Sequence, residues 1–90
     1  MLRVYILISG QVTGVGFRYF MERNAKLLGV GGWVKNAGDN VEAEFEGEEE
    51  KIKKMLEICQ KGPPAGWVRE VKVIKKEQIM KIEEEFKIVF

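Results

Sequence analysis

From Val41 to Glu46 the chain alternates without a break, with Val41, Ala43 and Phe45 on one parity and Glu42, Glu44 and Glu46 on the other. A period of two predicts a strand with one packed and one wet face, its glutamates a solvated edge of the pleat rather than a metal site. Two other stretches repeat with the period of a helix. Phe17, Phe20, Met21, Ala25 and Leu28 form one stripe, with Glu22, Arg23 and Lys26 on the other side and Gly29 placed to cap the C-terminus. Ile52, Met55, Leu56 and Cys59 form the second, at i, i+3, i+4 and i+7. Glu48, Glu49 and Glu50 then fall in its first turn, where the helix dipole favours negative charge.

The remaining segments read as strands and turns. Leu2 to Ser9 is mostly apolar, as expected of a strand in the middle of a sheet. Val30 to Asn36 reads as a second strand, with Gly31 and Gly32 serving the turn and close packing. Ala37, Gly38, Asp39 and Asn40 have the composition of a hairpin turn. Gly62 to Gly66, with Pro63 and Pro64 inside, ends the second helix. Trp67 to Lys76 is read as a fourth strand, with Val71 and Val73 on one face, Val68 and Ile74 on the other, and lysines suited to a sheet edge. Glu77 to Glu85 is polar and irregular, with Ile79, Met80 and Ile82 available to pin it down. Phe86, Ile88 and Phe90 alternate as a short closing strand.

The predicted order is strand, helix, strand, strand, helix, strand, with a short extra strand at the C-terminal end. This is the α+β, ferredoxin-like βαββαβ sandwich, two helices on one face of an antiparallel sheet, formed by one domain over residues 1–90. In that arrangement the first two strands run parallel with one strand between them, about 9.6 Å apart, twice the usual spacing. Asn36, at the end of the second strand, then shares a rim with the loop that follows the first.

Composition narrows the chemistry. Ninety residues with 46% hydrophobic content suffice for a single modest core. A formal charge of +1, from 15 basic and 14 acidic residues, gives no broad field for a nucleic-acid backbone or an anionic membrane, so any anion has to be caught locally. No stretch approaches the roughly 20 apolar residues that span a bilayer, and Arg3 with a short apolar run does not make a cleavable leader, so a cytoplasmic location is expected. Cys59 is the single cysteine and histidine is absent, which removes a disulfide, a thiolate cage, a histidine base and imidazole metal ligands. Abundant Glu and Lys hint at a thermophile.

Candidate chemistry concentrates in Gly10-Gln11-Val12-Thr13-Gly14-Val15-Gly16-Phe17-Arg18, between the first strand and the first helix. Its glycines permit positive φ and close approach to the backbone, and its amides, with the first helical turn, can converge on an anion. Arg18 stands at the mouth of that nest with a fork of donors suited to phosphate oxygens. An ordinary glycine-rich turn has the same composition and stands as the alternative. Two familiar phosphate motifs are excluded: Phe17 and Arg18 follow Gly16 where a Walker loop has Lys-Ser/Thr, and Tyr19 stands where a dinucleotide fingerprint starting at Gly14 needs glycine.

Together, Gly10-x-Val12-x-Gly14-Val15-Gly16-Phe17-Arg18, Leu28-Gly29, Gly32-Trp33-Val34-Lys35-Asn36, Val41-Glu42, Glu46-Gly47 and Lys61-Gly62-Pro63-Pro64-Ala65 closely resemble the acylphosphatase family, in its order and over nearly the whole chain. Thr13 stands where the family most often has glutamine, and the hairpin from Asn36 to Val41 is short. The resemblance implies hydrolysis of the carboxyl-phosphate bond of an acyl phosphate to a carboxylate and inorganic phosphate, by direct water attack, without a metal or other cofactor. By similarity, the amides of Gly14, Val15, Gly16, Phe17 and Arg18 and the Arg18 guanidinium bind the phosphoryl group, and Asn36 orients the water. A monomer is expected, with no nucleic-acid or membrane partner.

Two other classes share features of this pattern. Gly14, Gly16, Phe17 and Phe20 overlay part of the RNP1 motif of RNA-binding domains, although that motif belongs on a third strand and only one strand precedes it here. Acylphosphatase-like modules also open larger carbamoyl-transferring proteins, and phosphate binding without turnover would favour such an accessory role.

Overall fold

The computed structural model describes residues 1–89. In chain order it contains β1 (Leu2–Gln11), α1 (Phe17–Leu28), β2 (Gly31–Ala37), β3 (Asn40–Gly47), α2 (Glu49–Lys61), β4 (Trp67–Gln78) and β5 (Phe86–Ile88). The strands form one five-stranded sheet in the order β4-β1-β3-β2-β5. The pairs β1/β3, β1/β4 and β2/β3 are antiparallel, as the ferredoxin-like reading requires, whereas β5 joins β2 in parallel and makes the sheet mixed. Phe90 of the predicted closing strand lies outside the described residues.

Both helices fold where their apolar stripes predict. Phe17, Met21 and Ala25 of α1 and Ile52, Met55 and Cys59 of α2 are buried. They cover the inward row Val4, Ile6 and Ile8 of β1, Val41, Ala43 and Phe45 of β3, and Val34 of β2. Gly29 caps α1 in the left-handed conformation, and its amide bonds back to the last turn. Cys59 is part of this core, and burial pushes its thiol pKa up, which leaves it inert. Gly32 shows why two glycines open β2: at φ +126°, a Cβ there would overlap the Glu44 carbonyl of β3.

The structure corrects the reading of the β3 glutamates. β3 lies at the centre of the sheet, and Glu42 and Glu46 are partnered from both sides, while Glu44 is half-buried within 3.8 Å of Arg3. The Tyr5 hydroxyl donates to Glu42 at 2.6 Å, and Lys35 lies 3.0 Å from the same carboxylate. The Tyr5 bond, with Lys35 adding to it, holds the Glu42 carboxyl below its ordinary pKa. Glu46 is 6% exposed; it accepts from Arg3 at 3.1 Å and from the Glu83 backbone N–H at 2.9 Å. Alternation along one strand tells which face a side chain takes, but not which long cations on neighbouring strands will cover it.

Two further expectations change. Val68 and Val71 share the helix-covered face, because register shifts in β1/β4 leave Arg69 and Ile74 as extra residues and invert the parity between them. Ile74 accordingly is 48% exposed. Met80 does not pin the 79–85 segment, since its side chain is fully exposed. Backbone bonds hold that segment instead, from the Ile79 N–H to Met1 at 3.1 Å and from the Gly32 N–H to Glu85 at 2.9 Å, together with the Glu46 carboxylate.

Candidate active site

The loop between β1 and α1 is held at both ends by core residues. Val12 is 1% exposed and Phe17 is 2% exposed, so the four residues between them bridge two fixed points. Burying a phenylalanine of this kind contributes about 1.5–3 kcal/mol, enough to hold the helix start in place. Phe17 also meets Phe20 edge to face at 5.9 Å between ring centroids. On the outer side Gly66 packs against the Gln11 carbonyl and the Val15 side chain, with no room for a larger residue without displacement. The Gly62–Gly66 turn therefore braces the loop from behind.

Within that frame Gly14 takes φ +72° and Gly16 φ +77°, a left-handed conformation that costs other residues about 1–2 kcal/mol. Neither position has another group within 4 Å of where a Cβ would stand. Their glycines are thus required by backbone angle and leave open space in front of the loop. Gly16 is the N-cap of α1, and no side chain caps the helix, nor does an acidic residue stand in its first turn. A helix N-terminus in that state presents backbone N–H donors and the positive end of its dipole.

Asn36 arrives from the sheet. It is paired with Val41, which in turn is paired with Ile8, so Asn36 belongs to the inward row of the sheet at the end where β1 enters the loop. Gly38 and Asp39 close the hairpin beyond it, with Gly38 at φ +62°. Loop, helix start and strand end line one cavity of about 200 Å³. Val12, Gly14, Gly16 and Phe17 line it together with Arg18, Tyr19 and Asn36. The predicted Arg18 and Asn36 are brought together in this way, and Val15, between two lining glycines, faces the brace.

Tyr19 is the residue that sequence reasoning passed over as a site candidate. The signal was present: a large aromatic directly after Arg18, off the apolar stripe of α1. Among the described residues no carboxylate, imidazole or thiol lines the cavity, and no three His, Cys, Asp or Glu side chains gather as metal ligands. Two larger hollows, of about 380 and 650 Å³, lie around the irregular segment before β5 and share Glu84 and Glu85 in their linings. Paired carboxylates repel an anion, so size does not identify the site here.

A ferredoxin-like sandwich whose first loop and uncapped helix start share one small cavity with an arginine and an asparagine belongs to a definite class of small α+β domains. The family assignment is direct, because the Acylphosphatase family model matches residues 4–88. An acylphosphatase from Syntrophobacter fumaroxidans is 49% identical over 72 residues, covering 79% of this chain and 74% of that protein. The crystal structure of acylphosphatase from Bacillus subtilis superposes with a TM-score of 0.93 at 35% identity, covering all of both chains. Full-length HypF in its phosphate- and nucleotide-bound form superposes with a TM-score of 0.84 at 29% identity, over 100% of this chain and 12% of that one. The chain belongs to the acylphosphatase family, hydrolases that act on acyl phosphates.

Proposed function

We propose that the cavity between Arg18 and Asn36 carries the hydrolysis, through direct attack of water on the phosphorus of an acyl phosphate and without a metal. The amides of Gly14, Val15, Gly16, Phe17 and Arg18 hold the phosphoryl oxygens, and the Arg18 guanidinium grips them with paired donors. The Asn36 amide positions the water. Its oxygen forms the new bond to phosphorus while the bond to the acyl oxygen breaks, and the electron pair leaves with the carboxylate. One water proton stays on the phosphate and the other passes to a phosphate oxygen, so a dianionic acyl phosphate gives a carboxylate and a monoanionic phosphate. A carboxylate is a good leaving group, and positioning with charge stabilisation supplies most of what such a reaction needs.

The observation that carries this reading is the cavity that joins the uncapped α1 N-terminus with Arg18 and Asn36 and, among the described residues, has no acidic lining. Action as a monomer in the cytoplasm, with no nucleic-acid or membrane partner, belongs to the same proposal. No helix among the described residues is long and apolar enough to cross a membrane.

The test is phosphate release from benzoyl phosphate, with an ordinary phosphate monoester as control and with excess EDTA in a parallel series. We expect rapid release from the acyl phosphate, little from the ester, and the same rate with chelator. Phosphate binding without turnover would make the chain an accessory binding domain, and loss of activity in EDTA restored by a divalent ion would overturn the metal-free mechanism.

A further inference from the structure

The block Lys61-Gly62-Pro63-Pro64-Ala65, with Gly66 after it, takes no part in the chemistry proposed above, yet it packs on the loop that does. The turn it forms is stiff. Pro63 is buried, two successive prolines fix φ, and the Gly66 N–H donates to the Pro63 carbonyl at 3.0 Å, which puts Pro64 at the turn position that favours proline. Both of its ends are anchored. The Gly62 N–H bonds back to the Ile58 carbonyl of α2 at 3.0 Å, and Trp67, directly after the turn, pairs with Gln11, the last residue of β1.

Two close approaches carry this stiffness into the loop. A Cβ built on Gly66 would stand 3.2 Å from Val15 Cγ2 and 3.1 Å from the Gln11 carbonyl oxygen, and one built on Gly62 would stand 3.2 Å from Phe17 Cε2. The contacted residues, Val15 and Phe17, flank Gly16, the N-cap of α1. Gly62 is required by its angle as well, at φ +70°, whereas Gly66 has no positive φ, so closeness alone keeps a side chain out there. Gly14 and Gly16 leave open space where a side chain would stand and do not fix the loop by packing. Val15, half-buried between them and packed against the core, does. A loop with two left-handed glycines has much backbone freedom to lose on binding an anion, and a contact that orders it beforehand removes that cost from binding.

We infer that Gly66 is a positioning residue: through Val15, the 63–66 turn holds the amides of the β1–α1 loop in their anion-binding arrangement before the anion arrives. This deepens the function proposed above and rests on that loop as the anion site. The measurement is the Kd of inorganic phosphate by titration calorimetry, with kcat/KM on benzoyl phosphate and the Tm of the unliganded protein alongside, in wild type, Gly66→Ala, Val15→Ala and the double variant. In Gly66→Ala the new methyl displaces Val15, and in Val15→Ala the contact is lost. Each should weaken phosphate binding about 3- to 10-fold and lower kcat/KM at least as much. In the double variant the added methyl takes up space that Val15 has vacated, so Kd should return toward the wild-type value. A contact that served stability alone would lower Tm and leave Kd unchanged in both single variants, which would overturn the inference. So would losses that simply add in the double variant. Should Gly66→Ala fail to fold, Val15→Ala decides alone, since a wild-type Kd in that variant overturns the inference in the same way. Wild-type protein that binds no phosphate would strike the proposed anion site and this inference with it, whereas phosphate binding without turnover would strike the hydrolysis and leave the Kd comparison in force.

Discussion

The two helices begin in opposite electrostatic states. They have nearly the same length, 12 and 13 residues, lie on the same sheet and bury the same kind of stripe. α2 starts after Glu48 in an extended conformation and places Glu49 and Glu50 in its first turn, so its own carboxylates answer its dipole. α1 starts after a left-handed Gly16, has no acid in its first turn, and carries Arg18 there instead. A cation at a helix N-terminus is unfavourable by roughly 0.3–1 kcal/mol, and uncapped amides add to the deficit. One helix is complete without a ligand, and the other, in the function proposed above, is completed by an anion. That contrast, more than the glycine pattern, is what the proposal of a phosphate cradle over an ordinary turn rests on.

The strongest way to break the contrast is at Arg18. Arg18→Lys keeps the charge and loses the planar fork, so two parallel bonds to the phosphoryl oxygens become one point contact. We expect turnover to fall on the order of 10³-fold or more, equivalent to about 4 kcal/mol, with weaker inhibition by inorganic phosphate. Steady-state kinetics on benzoyl phosphate reads this directly. Near-normal turnover would mean that charge alone completes the α1 terminus.

Asn36 tests whether the completed cradle also needs a partner from the sheet. An ordinary role at the strand end leading into the Gly38-Asp39 turn would give Asn36→Ala a small stability cost and nearly normal kcat per folded molecule. Positioning of the attacking water predicts instead a folded variant that still gains stability from phosphate but whose kcat falls roughly 10²-fold. The paired measurement is phosphate-induced shift of Tm and kcat on an acyl phosphate. A parallel loss of both would move Asn36 from catalysis to binding.

How far the sequence carried these conclusions depends on the range of the interaction. The α1 and α2 stripes, the αL cap at Gly29 and the hairpin at Gly38-Asp39 are local, and residues a few positions apart determined them. The approach of Arg18 and Asn36 was also legible, because it follows from strand order. The burial of Glu46 was not, since Arg3 and the Glu83 amide lie far away in sequence. Neither was the shared face of Val68 and Val71, which depends on a bulge set where Gly10 meets the Trp67 carbonyl too closely for a side chain. Tyr19 was passed over, since an aromatic beside Arg18 does not reveal which surface it borders, and only the cavity does.

The smallest expected effect lies at the other helix and serves as the control for the comparison. If Glu49 and Glu50 answer the α2 dipole, Glu49→Gln and Glu50→Gln should each lower stability by about 0.3–1 kcal/mol in low salt, toward the lower bound because both side chains are exposed. The loss should shrink as ionic strength rises, since a Debye length near 10 Å at 0.1 M screens such exposed charges. Neither residue borders the cavity, so kcat and phosphate inhibition should be unaltered. Phosphate should also add the same increment of Tm to these variants as to wild type, because the ligand completes α1 and not α2. Denaturant melts at two salt concentrations, with and without phosphate, make the measurement. A variant whose phosphate response falls together with its stability would show that the two helix termini are coupled through the sheet, and the contrast between a finished and an unfinished helix would then describe one electrostatic unit rather than two.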